Sequence, residues 1–190
     1  MDSNVGGSKV GGKGGSAAAG KPGAPSAAAA KGAVSAALKK LAAEDKKVLA
    51  YKDDIVAASK KYGVPAPLVA GVLERESGGD PDALSLDGGH GKGLMQIDDR
   101  SHAFARGPDA FDPAKNIAEG AKILAGNAKA FPGNEDAQIA AYNAGVGGVK
   151  KAMKQGLDPG DATYAPGYVE DVEANEKRLA PAFEDPEPAR

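Results

Sequence analysis

Three of the acidic residues between positions 76 and 98, Glu76, Asp87 and Asp98, are of a type and spacing that could perform acid–base chemistry. Glu76 follows Val72 by four residues and Leu73 by three, which places it on the apolar face of a predicted helix. A carboxylate there is desolvated and lies near the negative end of the helix dipole, and both effects raise its pKa. A general acid needs such a pKa, although a buried structural ion pair with Arg or Lys is the alternative interpretation.

The two aspartates follow in and after a glycine-rich stretch. Alone, Asp87 is typical of a turn, because Asp-Gly is a common turn pair, and Asp98 is typical of a strand end or surface charge. The glycines after Asp87 allow the backbone to form a tight loop or to approach a ligand closely. Together with Glu76, the aspartates supply one acid and two candidate bases, as hydrolysis of a glycosidic bond requires.

The rest of the pattern predicts a mainly α-helical domain whose helices are bounded by proline, capping residues and glycine. "VPAPLVAGVLERESGG" begins at prolines, ends at glycines and presents an apolar inner face, with Glu74 and Arg75 turned more toward solvent. Asp112 and Asn134 are the expected N-caps of the next two helices. These signals predict one compact helical domain without internal repeats.

The C-terminal third continues in the same way. Gly145 is expected to end the helix of "GNEDAQIAAYNAG", and a further helix begins near Gly147. The last helix is predicted from Tyr168 to Leu179, because "APAFEDPEPAR" beyond it is too rich in proline and charge to continue.

A small β element interrupts the helices. "GKGLMQIDD" alternates like a short strand or hairpin arm, with Leu94, Gln96 and Asp98 on one side and Met95 and Ile97 on the other. The predicted fold class is therefore mainly α, with a small β-hairpin or short sheet beside the site.

Composition limits the possible functions. The chain has 190 residues, a formal net charge of −2, no cysteine and two histidines. This charge gives no field that would favour nucleic acid, and the residue types predict neither a metal site nor a cofactor. Residues 1–35 are predicted to be a disordered Gly/Ala/Lys-rich tail, residues 36–182 the catalytic domain, and residues 183–190 a flexible C-terminus. No signal peptide and no segment that could insert into a membrane is recognisable.

Four short motifs resemble those of one enzyme family. "ERES" (74–77), "GLMQID" (93–98), "DRSH" (99–102) and "AAYNAG" (140–145) occur in the order of goose-type lysozymes, glycoside hydrolase family 23, and more distantly of soluble lytic transglycosylases. The resemblance covers roughly residues 51–179. It implies an α+β lysozyme-like fold whose cleft binds peptidoglycan and cuts the β-1,4 bond between N-acetylmuramic acid and N-acetylglucosamine.

The resemblance also implies catalytic roles. Glu76 is the general acid, and Asp98, helped by Asp87, positions and activates water in an inverting hydrolysis. Lytic transglycosylases lack a matching aspartate, and the substrate's own hydroxyl attacks in place of water. Because this chain has "GLMQIDDRSH", the resemblance favours a muramidase. A lytic transglycosylase that releases 1,6-anhydro products and a non-catalytic wall-binding protein stay open as alternatives.

Six further residues are expected to bind substrate or support the site. Tyr142 and Asn143 have an alternative interpretation as core and helix-end residues. The resemblance implies that Tyr168 reaches toward Glu76. The six substrate-binding candidates are Gln96, His102, Tyr142, Asn143, Tyr168 and His90.

The implied substrate lies outside the cytoplasmic membrane, although no export signal is recognisable. That combination suggests a phage lysin, a delivered effector or a protein with a non-standard export route. The expected partner is the peptidoglycan polysaccharide, with the protein acting as a monomer and a proteinaceous lysozyme inhibitor possible.

Overall fold

The structure, a computed structural model, describes residues 43–184, and these form a mostly helical domain with one small antiparallel sheet. Its α-helices are α1 Ala43–Leu49, α2 Lys52–Tyr62, α3 Ala66–Ser77, α4 Pro113–Ala130, α5 Glu135–Lys154 and α6 Tyr168–Leu179. The strands are β1 Gly91–Lys92 and β2 Ile97–Asp98, and short 3₁₀ helices span Ala103–Arg106, Pro159–Ala162 and Ala180–Ala182. The predicted fold class is confirmed. The predicted tail over 1–35, the predicted domain start at 36 and residues 185–190 of the predicted C-terminal segment 183–190 lie outside the described residues.

The predicted helix ends are present where the sequence placed them. The Asp112 side chain accepts a hydrogen bond from the Lys115 backbone N–H at the start of α4, and Asn134 does the same for Ala137 at the start of α5. Helix α3 begins directly after Pro65 and ends at Gly78, whose φ of 60° is left-handed. Side-chain caps and glycine thus satisfy helix-end groups that would otherwise lack partners.

Helix α3 lies in the hydrophobic core, and it packs most extensively against α6. Leu68, Val69, Val72 and Leu73 of α3 are buried, as the spacing predicts. Burying side chains of this size contributes roughly 1.5–3 kcal/mol each. No helix among residues 43–184 is long and apolar enough to span a membrane.

Gly71 makes the close packing of α3 on α6 possible. A Cβ atom at this position would lie 2.9 Å from the backbone nitrogen of Glu176 and 2.9 Å from the carbonyl oxygen of Val172. Real Cβ atoms do not approach backbone atoms this closely, so the interface requires glycine here. Because Gly71 faces Val172 and Glu176 while Glu76 faces Tyr168, the two helices run in opposite directions.

Ion pairs reinforce the same interface. Arg178 of α6 pairs with the buried Asp45 of α1 and with Glu74 of α3, the latter at 2.7 Å between Nη2 and Oε1. The expectation that Glu74 turns toward solvent is wrong, since its side chain is only 13% exposed. Arg75, on the next helix position, pairs with Asp171 at 3.0 Å and keeps part of its surface in solvent.

The β element is a two-residue ladder closed by a turn, in which Gly91 pairs with Asp98 and Lys92 with Ile97. The predicted alternation through residues 94–98 is wrong, because Leu94 and Met95 are both buried and Gln96 has a left-handed φ of 47°. Neighbouring residues in a turn do not alternate between two faces as strand residues do.

Asn116 of α4 holds this turn in place from the core. Its Oδ1 accepts a hydrogen bond from the Met95 N–H at 2.7 Å, and its Nδ2 donates to the carbonyl oxygens of Lys92 and Ala110 at 2.9 and 2.8 Å. The turn's backbone groups therefore find partners on a helix side chain instead of on a longer strand.

Helix α5 contains one backbone break, at the glycine predicted to end it. Gly145 has φ 73° and ψ 153°, which is not helical, and hydrogen-bonded helix continues on both sides. The break leaves Tyr142 and Asn143 in the last turn of the first helical segment, where they face the cavity described below.

Candidate active site

Glu76 lies one residue before the end of α3, and packed protein atoms surround its carboxyl although the residue keeps some exposure to solvent. The Tyr168 hydroxyl donates a hydrogen bond to Glu76 Oε1 at 2.5 Å, so the contact expected between these residues is present. Burial raises the pKa of Glu76 to about 7, and the Tyr168 hydrogen bond and the Arg75 charge offset part of that effect. The carboxyl can therefore hold a proton close to neutral pH.

Tyr168 is itself only 2% exposed, so it supports the site from within the core. Burial, followed by the nearby Glu76 charge, raises the pKa of its hydroxyl well above the ordinary value. The hydroxyl thus stays protonated and acts as a fixed donor to Glu76. The Arg75 guanidinium lies over the Tyr168 ring, 5.4 Å from its centroid, and also pairs with Asp171.

Changing Tyr168 to Phe is expected to move the alkaline limb of the pH profile upward. The hydrogen bond stabilises the Glu76 carboxylate, so its removal raises the pKa of Glu76 further above 7. We expect the fall of kcat/KM with rising pH to shift by about one pH unit. Tyr142→Phe is the matched control, because that hydroxyl donates to the Met95 carbonyl oxygen. A limb that stays in place in Tyr168→Phe would contradict this role.

A cavity of about 710 Å³ lies between the β element, α4, α5 and the loop before α6. It is lined by Asp87, Gln96, Ile97, Asp98, Arg100, Ser101, His102, Ile123, Asn127, Ala141, Tyr142, Asn143, Ala144, Gly145, Val146 and Tyr164. Both predicted aspartates and four of the six predicted binding residues belong to this wall. Of the predicted site residues, Glu76, Tyr168 and His90 lie outside it. Glu76 lies near Tyr142 of the cavity wall. Burial raises the pKa of the Tyr142 hydroxyl, and the negative charge of Glu76 raises it further.

Arg100 connects the two aspartates of the cavity wall. Its Nε lies 3.1 Å from each oxygen of Asp98, its Nη2 lies 2.5 Å from Asp98 Oδ2, and the same Nη2 lies 2.7 Å from Asp87 Oδ2. Its backbone N–H donates to Asp98 Oδ1 at 2.7 Å. One guanidinium therefore occupies both oxygens of Asp98 and one oxygen of Asp87.

The charge state of both aspartates follows from these contacts. Hydrogen bonds from the Arg100 side chain lower the pKa of Asp98 to about 2. A hydrogen bond from the Ser85 hydroxyl, followed by that of Arg100, lowers the pKa of Asp87. Both carboxylates are therefore ionised near neutral pH, where Glu76 can still hold a proton. A carboxylate with a pKa as low as that of Asp98 is a weak base.

Tyr142 and Asn143 use their polar atoms to hold neighbouring loops against α5. The Tyr142 hydroxyl donates to the Met95 carbonyl oxygen at 2.9 Å, which ties the hairpin turn to the helix. Asn143 Oδ1 accepts from the Tyr164 backbone N–H at 2.7 Å, which ties down the loop before α6. Both residues also line the cavity, and their roles as substrate binders stay predictions.

The remaining predicted binders differ in position. Gln96 lines the cavity, while its Nε2 donates to the carbonyl oxygens of Ala83 and Gly93 at 3.0 and 2.9 Å. His102 lines the cavity immediately before the 3₁₀ helix. His90 does not line the cavity; its Nδ1 lies 2.8 Å from Asp99 Oδ1 in a cluster that includes Lys92.

Among the cavity-wall residues not predicted from the sequence, Arg100 and Tyr164 matter most for the site. The motif "DRSH" contains Arg100, and its position two residues after Asp98 was the available signal. Tyr164 lies in "GLDPGDATYAPG", a turn-rich segment whose composition carries no signal for a site. Within residues 43–184, no group of three or more acidic or histidine side chains is arranged to hold a metal ion.

A raised pKa alone does not identify this site. Burial, with the charges of Glu135 and Glu173, also raises the pKa of Glu176 to about 7. Glu176 faces other carboxylates on α5 and α6. Glu76 instead accepts a hydrogen bond from the neutral Tyr168 hydroxyl and lies near Tyr142 of the cavity wall. The combination of pKa and place therefore selects Glu76 as the candidate acid.

Comparison with known proteins gives results that agree with this arrangement. The model of the transglycosylase SLT domain family matches residues 53–164. A protein described as a transglycosylase, from Enterobacteria phage PRD1, is 34% identical over 106 residues, which cover 56% of this chain and 39% of that protein. The X-ray structure of an inactive mutant of the lytic transglycosylase Slt from Pseudomonas aeruginosa has a TM-score of 0.59 at 24% identity, covering 70% of this chain and 24% of that one. The chain thus spans well under two thirds of either protein's length.

A helical domain with a small hairpin and a protonatable glutamate beside a cavity defines the lysozyme-like transglycosylase fold. The chain belongs to the transglycosylase SLT domain family, whose model matches more than half of it. The predicted superfamily is confirmed, while goose-type lysozyme in particular stays a prediction.

Proposed function

We propose that this domain cleaves the β-1,4 bond between N-acetylmuramic acid and N-acetylglucosamine of peptidoglycan as a lytic transglycosylase. The observation that carries the proposal is the Glu76–Tyr168 pair, whose glutamate lies near Tyr142 in the wall of a cavity large enough for sugar rings. The family membership and the phage relative described as a transglycosylase support it.

In the proposed reaction, Glu76 is the only acid and the only base. The protonated carboxyl gives its proton to the glycosidic oxygen while the bond from C1 of the muramic acid to that oxygen breaks. The C6 hydroxyl oxygen of the same sugar then bonds to C1, and its proton passes to the Glu76 carboxylate. No water is consumed, and a 1,6-anhydro end is formed. A group with a pKa of about 7 can act in both directions.

Arg100 supports this choice of nucleophile. An aspartate that activates water must offer a free oxygen lone pair and sufficient basicity. Asp98 has both oxygens engaged by Arg100 and a pKa of about 2, and Asp87 is bound to the same guanidinium. An attack by the substrate's own hydroxyl needs no second base.

Hydrolysis is the second candidate, as the sequence motifs predict. It is favoured by the presence of Asp87 and Asp98 together in the cavity wall, where ionised carboxylates can orient a water. An inverting hydrolase of this kind requires roughly 6.5–9.5 Å between acid and base carboxyl groups.

Mass analysis of the products distinguishes these reactions. Purified peptidoglycan is digested with the wild-type chain and with Asp98→Asn, and the ends of the released fragments are identified. We expect fragments with anhydro ends, each lighter by one water than a reducing end. We also expect the activity of Asp98→Asn to stay within about threefold of wild type, whereas removing a catalytic base lowers activity roughly 10²–10⁴-fold. Reducing ends that disappear in Asp98→Asn would establish the hydrolase. An absence of fragments at high protein concentration would establish the non-catalytic wall-binding alternative.

The proposed substrate places the site of action outside the cytoplasmic membrane. The phage origin of the related transglycosylase favours a phage lysin among the three predicted routes. Monomeric action and recognition by a proteinaceous inhibitor stay predictions.

A further inference from the structure

Tyr164 is a large aromatic residue that lines the cavity and is exposed to solvent. Its side chain is 84% exposed although it lines the cavity wall beside Asn143. Among the described residues, none forms a hydrogen bond or ring contact with its side chain. The ring lines the cavity and is largely exposed, so its faces are available to a ligand that enters the cavity.

The backbone that carries Tyr164 is held in place on both sides. Its N–H donates to Asn143 Oδ1 at 2.7 Å, which fixes it to the last turn before the break in α5. The preceding Thr163 hydroxyl contacts the carbonyl oxygens of Gly160 and Ala165 at 2.7 and 3.0 Å. The ring is therefore presented from a hydrogen-bonded loop and needs little additional ordering when it binds.

The rest of the cavity wall complements such a ring. Arg100, Ser101 and His102 supply guanidinium, hydroxyl and imidazole groups that can bond to hydroxyl and N-acetyl groups. A pyranose ring has hydroxyl groups around its edge and C–H groups on its faces, so it matches a cavity with one aromatic face and several polar groups.

We propose that Tyr164 is a stacking platform for one N-acetylated sugar ring of the glycan strand. The proposal rests on the proposed function for the identity of the strand, and it assigns Tyr164 to binding and not to proton transfer. The ring carries the interaction, and the hydroxyl is dispensable.

A tryptophan probe tests the contact directly, because the chain contains no tryptophan. Tyr164→Trp in a Glu76→Gln background gives a protein with a single indole that does not consume its ligand. Titration with a tetramer of N-acetylglucosamine is expected to shift the indole emission to shorter wavelength, as water is displaced from the ring. Phe111→Trp in the same background is the matched control, since Phe111 is 38% exposed and lies outside the cavity wall. Its emission is expected to stay unchanged.

Kinetics on soluble glycan strands give an independent readout. Tyr164→Ala is expected to raise KM about tenfold with kcat within about twofold, whereas Tyr164→Phe keeps wild-type constants because it keeps the ring. Phe111→Ala is expected to change neither constant.

The outcomes separate this proposal from the proposed function. An unchanged emission of Tyr164→Trp, in a protein that still sediments with peptidoglycan, would overturn the platform. Equal emission changes in the two tryptophan variants, or an equal loss in Tyr164→Phe and Tyr164→Ala, would overturn it as well. If the emission shifts but the wild-type chain releases no fragments from peptidoglycan, the platform stands and the enzymatic proposal fails.

Discussion

Replacing Glu76 with Gln is expected to lower kcat on peptidoglycan by about 10³-fold or more. The amide has nearly the same shape and still accepts a hydrogen bond from Tyr168, but it cannot give a proton to the leaving oxygen. Release of soluble fragments from purified peptidoglycan measures the loss. Glu176→Gln is the control, because that carboxyl has a similarly raised pKa but lies among other carboxylates on α5 and α6. Retention of most activity in Glu76→Gln would show that another group is the acid.

The same substitution is expected to stabilise the protein above neutral pH. The folded pKa of Glu76, about 7, lies above the ordinary value of 4.5, so the folded state binds more protons than the unfolded state between these values. The contribution of Glu76 to stability is therefore fully present below pH 4.5 and is lost as pH rises to 7. We expect Glu76→Gln to increase the free energy of unfolding by about 1–3 kcal/mol at pH 8.

Urea unfolding at two pH values measures this effect. The difference between wild type and Glu76→Gln should be large at pH 8 and small at pH 4. A difference of equal size at both values would show that the carboxyl does not titrate with a raised pKa in the folded state.

Gly71→Ala is expected to cause the second large effect, on both stability and activity. The added Cβ would meet two backbone atoms of α6, Glu176 N and Val172 O, and backbone atoms cannot move aside as a flexible side chain can. The helices must separate, which costs about 1–3 kcal/mol. Because Glu76 is on α3 and Tyr168 on α6, this separation also weakens their hydrogen bond.

Gly126→Ala is the matched control for this prediction. A Cβ at Gly126 meets nothing within 4 Å, and the residue is an exposed position inside α4. There the same chemical change should stabilise the helix by about 0.5–1 kcal/mol. Thermal unfolding and peptidoglycan digestion of both variants provide the measurements. Equal stability of the two variants would contradict the account of the α3–α6 contact.

The sequence carried the information for the helices and for the burial of Glu76 because both depend on local patterns. Capping residues and glycines act on their own helix end, and they placed the ends of α3 and α4 correctly. Helical spacing likewise placed Glu76 among apolar residues, and burial is the main cause of its raised pKa.

The remainder of the site depends on contacts that local patterns do not encode. The turn before β2 is fixed by Asn116, a residue of α4 that lies 21 positions from Met95. The platform residue Tyr164 is positioned by Asn143, also 21 positions away. The contact between Arg100 and Asp98, only two residues apart, also requires a turn. The Arg100 backbone N–H donates to Asp98 Oδ1, which an extended strand does not allow.

Helix α6 sets the chemistry of an acid that lies 92 residues earlier in the chain. The segment covered by the family model, residues 53–164, ends before this helix begins. Such a contact forms only when a loop spanning most of the domain closes, which has an entropic cost. Until then Glu76 is a solvated carboxyl with a pKa near 4.5, ionised at neutral pH and without a proton to give. We therefore expect the ability to cut glycan to arise only after α3 and α6 have packed against each other.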